Sequence, residues 1–404
     1  MSELTPLQIL LDDFLTPDQQ GQIEGEAHKA GNSPAVKTLG SLRTPQKGND
    51  PTELIENRFL YRGGICLLLG PTGVGKSSLL MQMAIHFSVG KELFGVQPGS
   101  VYRLKGMRVL IIQAENDEGD LAEMRDGVIA GCDLSLKESE LALERISVCT
   151  ITDKSNESFT TVLDEVMTEH PAVDILMVDP AFSYLGGDSN SQRDVSRFMR
   201  ELLNPLLHRH QVGMILAHHT NKPARGKEKE SWKAGDYAYL GAGSAEWINP
   251  ARAALAIRSI GSDTVFELRA PKRGKRLRWE DEQGNITLMQ HIAHHRESGV
   301  ICWRQAEHSE VEELLANEET NKARKFYPID VLHCVHKTPG MNQSFYKDTI
   351  CDALKCSETA VQKLIKECHH KDWLRFKECG REKLYHLTKK GLLEVENCPS
   401  AVKW

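Results

Sequence analysis

Short apolar runs alternate with longer amphipathic stretches through the middle of the chain. The apolar runs predict strands at residues 65–69, 108–113, 146–149, 175–178 and 212–217. Helices are predicted between them, at residues 76–89, 118–130, 158–169 and 191–210. Buried strands that alternate with helices predict an α/β fold with a mostly parallel sheet covered on both faces.

The pattern changes to β-rich after residue 253. A meander appended to the sheet is predicted, with strands at residues 253–257, 264–268 and 276–279. The C-terminal part then predicts three helices and a two-stranded wing, at residues 329–336, 344–354, 358–370, 373–377 and 383–387. With Ser357 as the N-cap of the third helix, these elements favour a winged helix-turn-helix domain.

The distribution of charge supports a separate C-terminal module. The 404 residues carry a net charge of -6, which by itself argues against nucleic acid as a partner. Residues 322–404, however, hold 16 Lys+Arg against 10 Asp+Glu, a net charge of +6, whereas residues 1–321 carry 34 against 46, a net charge of -12. The length predicts two or three domains, and the reversal of sign indicates where the last one begins.

Composition excludes several classes of protein. With 40% hydrophobic and 26% charged residues, the chain is typical of globular proteins and not of collagen-like, disordered or disulfide-scaffold chains. No apolar run is long enough for a membrane helix, and the acidic N-terminus does not resemble a signal peptide. We therefore expect a cytoplasmic protein whose ten cysteines are thiols.

A phosphate-binding loop is the strongest chemical signal in the chain. Residues 70–77, GPTGVGKS, match G-x-x-x-x-G-K-[ST], directly after a predicted strand and at the start of a predicted helix. This motif binds ATP through backbone N–H groups, with Lys76 on the phosphates and the Ser77 hydroxyl on Mg²⁺. The predicted nucleotide-binding residues are Gly70, Pro71, Thr72, Gly73, Val74, Gly75, Lys76, Ser77 and Ser78.

Three further strand ends carry polar side chains that suit the same site. Asp179 ends the strand at 175–178 and is predicted to support Mg²⁺, although such a residue alone is more often a turn former. Glu115 follows another strand and either activates the attacking water or belongs to a solvated acidic loop. His218 and His219 follow the strand at 212–217 and either detect the γ-phosphate or are structural.

The order of these motifs resembles the RecA-type ATPases, and specifically the hexameric replicative helicases of the RepA type. The resemblance covers about residues 55–280. It depends on GPTGVGKS, on Glu115 in QAEND, on Asp179 in ILMVD, on AHHTNK at 217–222, and on GAGSAEWINPARAALAIR at 241–258. It implies a RecA-like P-loop domain, at residues 51–303. Composition and pattern predict the segments around it: a flexible arm at 1–50, a helical linker at 304–326 and a winged-helix domain at 327–404.

The resemblance also implies roles for individual residues. Glu115 would be the catalytic base, and His219 is the better candidate of the two histidines for the γ-phosphate sensor. Arg252 matches the arginine finger that reaches into the site of the next subunit, which requires an oligomer, in this family a closed ring of six. Lys272 and Arg273 resemble the Lys/Arg hairpin of related ATPases, with a solvated hairpin or a DNA-facing patch as alternatives.

Candidate DNA contacts lie in two regions. Loops at residues 183–194 and 221–239 follow central strands, where related rings contact single-stranded nucleic acid. The second holds Lys222, Arg225 and Lys227 together with the aromatic residues Trp232, Tyr237 and Tyr239. The alternative is a solvated loop. In the winged helix, Lys363 and Lys366 of the third helix and Arg381 of the wing suit duplex DNA, whereas a protein–protein module is the alternative.

These expectations combine into one functional hypothesis. The chain is predicted to be an Mg²⁺-dependent ATPase that forms a ring and acts as the replicative helicase of a plasmid, phage or other mobile element. A DNA-binding regulatory ATPase, and a recombination or KaiC-like ATPase without unwinding activity, share the same site and stay open as alternatives.

Overall fold

The computed structural model describes most of the chain and divides it into two units. The described residues are 36–46, 48–220, 243–260, 262, 264–281, 283–314, 327–354, 358–379 and 382–398. The first unit spans Met1–Val311 and the second Glu312–Trp404.

A nine-stranded sheet forms the centre of the first unit. A small hairpin of β1 (Glu53–Ile55) and β2 (Leu60–Tyr61) precedes it. The sheet strands are β3 (Ile65–Gly70), β4 (Val109–Gln113), β5 (Ile146–Thr150), β6 (Ile175–Asp179), β7 (Gly213–His219), β8 (Ala253–Ser259), β9 (Val265–Lys272), β10 (Met289–His294) and β11 (Trp303–Gln305). Their order is β5-β4-β6-β7-β3-β8-β9-β10-β11, parallel from β5 to β8 and antiparallel from β8 to β11. The predicted mostly parallel sheet is therefore confirmed.

Helices cover both faces of this sheet. They are α1 (Lys76–Ser88), α2 (Ser100–Lys105), α3 (Glu118–Gly131), α4 (Leu136–Arg145), α5 (Asn156–Glu169), α6 (Ala181–Leu185), α7 (Gln192–Ser196) and α8 (Asn204–Arg209), with a π-helical segment at Arg197–Leu203. Alternate residues of β3 explain the two faces: Cys66 and Leu68 pack with α1, whereas Leu67 and Leu69 pack with α5 and α8.

The meander differs from its prediction. Residues 276–279 do not form a strand, because Arg273 adopts a left-handed conformation (φ 60°) and turns the chain into a single 3₁₀ turn at Gly274–Arg276. The third and fourth strands of the meander are instead β10 and β11. The predicted helix at 191–210 is a succession of α7, the π-helical segment and α8.

The N-terminal part joins the fold at Asp50. Of the predicted arm, residues 1–35 lie outside the described part, and residues 36–46 are exposed around a 3₁₀ turn at Leu39–Ser41. Asp50 is buried, forms an ion pair with Arg58 and accepts hydrogen bonds from the backbone and hydroxyl of Thr52.

The part of the second unit from residue 327 onward that the structure describes contains four helices and one hairpin. Its elements are α9 (Pro328–Lys337), α10 (Gln343–Leu354), α11 (Glu358–His370), β12 (Leu374–Cys379), β13 (Glu382–Leu387) and α12 (Lys389–Asn397). The predicted three helices and hairpin are present, and α12 is an addition to them. Val331, Val335, Ile350, Val361 and Ile365 form its core. Among the described helices of either unit, none has both the length and the apolar composition needed to cross a membrane.

Candidate nucleotide site

The phosphate loop connects β3 to α1 at the carboxyl edge of the sheet. Gly73 (φ 76°) and Gly75 (φ 91°) adopt left-handed conformations that side chains rarely adopt, and a Cβ at Gly73 would meet open space. Gly75 is the N-cap of α1 and supplies no side-chain capping hydrogen bond. The first amides of the helix are therefore left for a ligand, and the dipole of the helix favours an anion there.

Lys76 lies in the centre of this loop. It is buried, and its ammonium donates hydrogen bonds to the carbonyl oxygens of Gly70 (3.0 Å) and Pro71 (2.9 Å) and to Nδ1 of His219 (3.0 Å). These three acceptors use all three N–H groups of the ammonium. Phosphate oxygens would replace neutral acceptors with charged ones, so the residues present fit a nucleotide phosphate.

Burial lowers the pKa of Lys76 to about 8, against the opposing effect of the carboxylates of Asp179 and Glu115. Both carboxylates therefore lie close enough to Lys76 to influence its charge. One ends β6, and the other follows the end of β4. The pKa of His219 is also lowered, by burial and then by the charge of Lys76. The ammonium of Lys76 therefore loses its proton more easily than an exposed lysine does, and a bound anion would stabilise its protonated form.

We expect nucleotide affinity to depend on this pKa. Phosphates bind the protonated Lys76, so the affinity for ADP should be constant below pH 8 and fall up to about tenfold per pH unit above it. Kd values for ADP between pH 7.5 and 9.5 measure the effect. In Lys76→Arg, whose guanidinium stays charged, the slope should disappear. A wild-type affinity that is flat across this range would contradict the assignment.

The two predicted carboxylates differ in exposure. Asp179 is the last residue of β6 and is 6% exposed, whereas Glu115 is exposed, two residues beyond the end of β4. Buried Gln113, opposite Asp179 in the sheet register, accepts hydrogen bonds from the backbone N–H groups of Ala114 (2.9 Å) and Glu115 (3.1 Å). Sequence reasoning missed Gln113, which fixes the turn that carries Glu115.

The two histidines do not both face the phosphate loop, because adjacent residues of β7 point to opposite faces of the sheet. His219 faces the phosphate loop, with Nδ1 3.0 Å from Lys76 Nζ and 3.3 Å from Thr72 Oγ1. His218 is 1% exposed, and its ring stacks on Trp247 at 4.2 Å between centroids. His219 thus contacts the loop, and His218 packs in the core of the other face.

The residues proposed for Mg²⁺ are Ser77, in the first turn of α1, and Asp179. Within the described part of the chain, no group of three or more His, Cys, Asp or Glu could hold a metal by itself. A magnesium site of one hydroxyl and one carboxylate needs no such group, because phosphate oxygens and waters provide the remaining ligands.

Arg252 lies at the opposite edge of the sheet from the phosphate loop. Its backbone N–H donates to the carbonyl of Ile65 (2.6 Å) at the start of β3, and five residues of β3, about 16 Å, separate that point from Gly70. The guanidinium lies over the ring of Tyr61, 4.8 Å from its centroid. An arginine there cannot reach the phosphate loop of its own chain.

Lys272 and Arg273 join Arg252 at this amino edge. Lys272 donates to the carbonyl oxygens of Ile248 (2.7 Å) and Asn249 (3.1 Å). Burial and the neighbouring charge of Arg252 lower the pKa of Lys272, whereas burial, Arg276 and Arg252 lower that of Arg273. No carboxylate forms an ion pair with any of these three cations among the described residues. The edge is therefore a concentration of positive charge that suits an anion.

Of the predicted DNA contacts, Lys222, Arg225, Lys227 and Arg381 lie outside the described residues. Lys363 and Lys366 are exposed on α11. The first predicted loop, 183–194, is partly helical, because α6 extends to Leu185 and α7 begins at Gln192. The second predicted loop, 221–239, lies outside the described residues. Ser244, five residues after it in the sequence, donates its N–H to the carbonyl of Ser189 in the first loop (2.7 Å).

Two aromatic residues of the meander also contact the phosphate loop. His294 ends β10 and Trp303 begins β11, and both reach the backbone of the loop. Nothing in the local sequence marks them, because about 220 residues separate them from the groups they touch.

Comparison with known proteins finds a similar family for the part of the chain that holds this site. Residues 40–225 match a family model described as "AAA domain". The match and the sheet order support a RecA-like P-loop ATPase core. No curated protein sequence matches this chain. Among solved structures, it is similar to "Crystal structure of the RadB recombinase", at 13% identity and a TM-score of 0.38, over 61% of this chain and 92% of that one.

Proposed function

We propose that this chain is an Mg²⁺-dependent ATPase that assembles into a ring of six and moves along DNA as a helicase of a plasmid, phage or other mobile element. The observation that carries the proposal is the separation of the phosphate loop from Arg252, Lys272 and Arg273 across the sheet. Cations that have no carboxylate partner in the described part of the chain lie at one edge, and a phosphate site lies at the other. The two edges complement each other between neighbouring subunits.

The roles of the residues follow from their positions. ATP with Mg²⁺, when bound, supplies the phosphoanhydride bond and neutralises part of its charge. The loop amides and Lys76 hold the phosphates, while Ser77 and Asp179 hold the metal. Glu115, on the turn fixed by Gln113, orients a water and accepts its proton.

His219 provides a route from the nucleotide to DNA. Its ring contacts Lys76 and Thr72 within the phosphate loop, and it ends β7 immediately before the second predicted DNA loop. A change in the hydrogen bonds of Lys76 therefore reaches residues 221–239 through one side chain. Lys222, Arg225 and Lys227 in that stretch would contact single-stranded DNA.

The second unit is proposed to be a winged helix that contacts duplex DNA. Its support is the element order of three helices and a hairpin, with exposed Lys363 and Lys366 on α11 and a net charge of +6 over residues 322–404. Arg381, which lies between β12 and β13 in the sequence, would contact a phosphate.

These exposed cations of α11 also favour a second candidate, a DNA-binding regulatory or recombination ATPase that uses nucleotide to assemble on duplex DNA without separating strands. Such a protein needs the same nucleotide site and the same basic helix. It differs from a helicase only in the outcome of hydrolysis.

ATPase rates with single-stranded DNA, with duplex DNA and without DNA test the proposal together with unwinding of a forked duplex. We expect single-stranded DNA to stimulate turnover several-fold and the fork to be unwound, with both activities absent in Lys76→Ala. Stimulation by duplex without unwinding supports the second candidate. Unwinding that survives Lys76→Ala would overturn the mechanism, and particle images report the size of the ring.

A further inference from the structure

Side chains from the antiparallel part of the sheet donate hydrogen bonds to the backbone of the phosphate loop. Nε2 of His294 lies 3.2 Å from the carbonyl oxygen of Val74, so the ring donates its proton there. Nε1–H of Trp303 donates to the carbonyl oxygen of Gly75 (3.2 Å) and to Oγ of Ser78 (3.2 Å). Two consecutive carbonyl groups of the loop are thus held by donors that β10 and β11 supply.

The geometry of the peptide bond gives these contacts a consequence for the nucleotide. In a planar trans peptide, the carbonyl oxygen and the N–H of the next residue point in opposite directions. Donors that hold the carbonyls of Val74 and Gly75 on the meander side therefore turn the N–H groups of Gly75 and Lys76 away from the meander. Those N–H groups belong to the uncapped start of α1, where a phosphate binds.

We propose that His294 and Trp303 are positioning residues that orient the phosphate-binding amides of the loop. This inference rests on the proposed nucleotide binding, and on no part of the proposed ring or of its action on DNA.

The supporting side chains are themselves fixed. Trp303 is 2% exposed, and its ring meets that of His294 at 4.2 Å between centroids, with Phe266 packed at 5.0 Å from His294 and 5.3 Å from Trp303. Gln82 of α1 bonds both backbone groups of Trp303, its Nε2 to the carbonyl (2.8 Å) and its Oε1 to the N–H (2.8 Å). The Trp303 indole therefore has a fixed position relative to α1, the helix that follows the loop.

The space around the loop agrees with this arrangement. A Cβ added at Gly75 would lie 3.1 Å from Cζ2 of Trp303 and 3.4 Å from Nε2 of His294. The two rings thus approach the backbone at the residue whose left-handed conformation shapes the loop.

Trp303→Phe tests the inference, because it keeps an aromatic ring and removes the donor. A net hydrogen bond contributes on the order of 1 kcal/mol, so Kd for ADP and KM for ATP should rise about five- to tenfold, with kcat nearly unchanged. A merely structural role would instead lower the midpoint of thermal unfolding and the active fraction, and leave KM unchanged. Nucleotide titration, steady-state kinetics and thermal unfolding separate these results.

Trp279→Phe is the matched control. Trp279 is also 2% exposed, and its Nε1 has no hydrogen-bond partner among the described residues, so the same substitution removes no contact with the loop. We expect its nucleotide affinity to equal that of the wild type. At His294, Leu should weaken affinity, whereas Gln, which still offers an N–H donor, should restore part of it.

Lys76→Ala distinguishes a failure of the proposed nucleotide binding from a failure of the proposed positioning role. A wild type that binds no ATP or ADP would overturn the proposed function itself. If Lys76→Ala abolishes binding while Trp303→Phe and His294→Leu bind ADP like the wild type, the nucleotide site stands and the positioning role is wrong.

Discussion

Glu115→Gln is expected to bind ATP with wild-type affinity and to hydrolyse it at least about a hundredfold more slowly. General base catalysis contributes about 10²- to 10⁴-fold, and an amide cannot accept the proton of the attacking water. Glu115 is exposed, so the substitution removes no buried contact and should leave the free energy of unfolding unchanged. Phosphate release, nucleotide titration and thermal unfolding measure the three quantities.

Glu118→Gln is the matched control for this prediction. Glu118 is an exposed carboxylate in the first turn of α3, three residues from Glu115, and belongs to the acidic stretch that was the alternative interpretation of Glu115. Its loss should change turnover less than twofold or so, because exposed charges contribute little through solvent. Equal effects of the two substitutions would mean that Glu115 acts only through its charge.

The parallel half of the sheet was predictable because each of its strands, apart from the edge strand β5, is buried on both faces. A strand buried on both faces needs a continuous apolar run, such as 175–178, and such a run is visible in the local sequence. β10 and β11 have no such run: β10 reads MQHIAH, and only its Ile292 and Ala293 are buried. Their place in the sheet depends on pairing with β9, a contact between distant residues that a local pattern does not contain.

The residues of the site likewise divide into those that a local sequence pattern predicts and those that it does not. The phosphate loop is a local motif, since the backbone conformation of eight consecutive residues makes it, and it could be identified from the sequence. The alternation of side chains in a strand also predicts that His218 and His219 face opposite ways, although their adjacency suggested a pair. Gln113, His294 and Trp303 form their hydrogen bonds with backbone groups. Because all residues share these backbone groups, the residue types at the bonded positions do not indicate the contacts.

The position of Arg252 is where the local sequence was least informative and where the expected effect is largest. We expect Arg252→Ala to lower kcat by about 10³-fold, the lower end of what an arginine finger contributes. ATP binding to the phosphate loop should be retained, because the arginine lies at the other edge of its own sheet. Phosphate release and nucleotide titration on the purified oligomer measure both effects.

Arg209→Ala is the control, since Arg209 is an exposed arginine just before β7, at the same edge of the sheet, and pairs with Asp164. Its turnover should match that of the wild type. Lys272→Ala and Arg273→Ala, tested in parallel, identify which of the three cations contributes most to turnover. Removal of Lys272 also releases the carbonyls of Ile248 and Asn249, so its thermal unfolding must be measured as well.

Mixed oligomers decide whether Arg252 acts on the neighbouring subunit. When Arg252→Ala and Glu115→Gln subunits assemble randomly in equal amounts, about a quarter of the interfaces combine an intact Glu115 with an intact Arg252. Two variants that are nearly inactive alone should then recover about a quarter of wild-type turnover, because each site needs groups from two chains. An arginine that acts within its own chain gives no recovery in any mixture, and that result would remove the main argument for a ring.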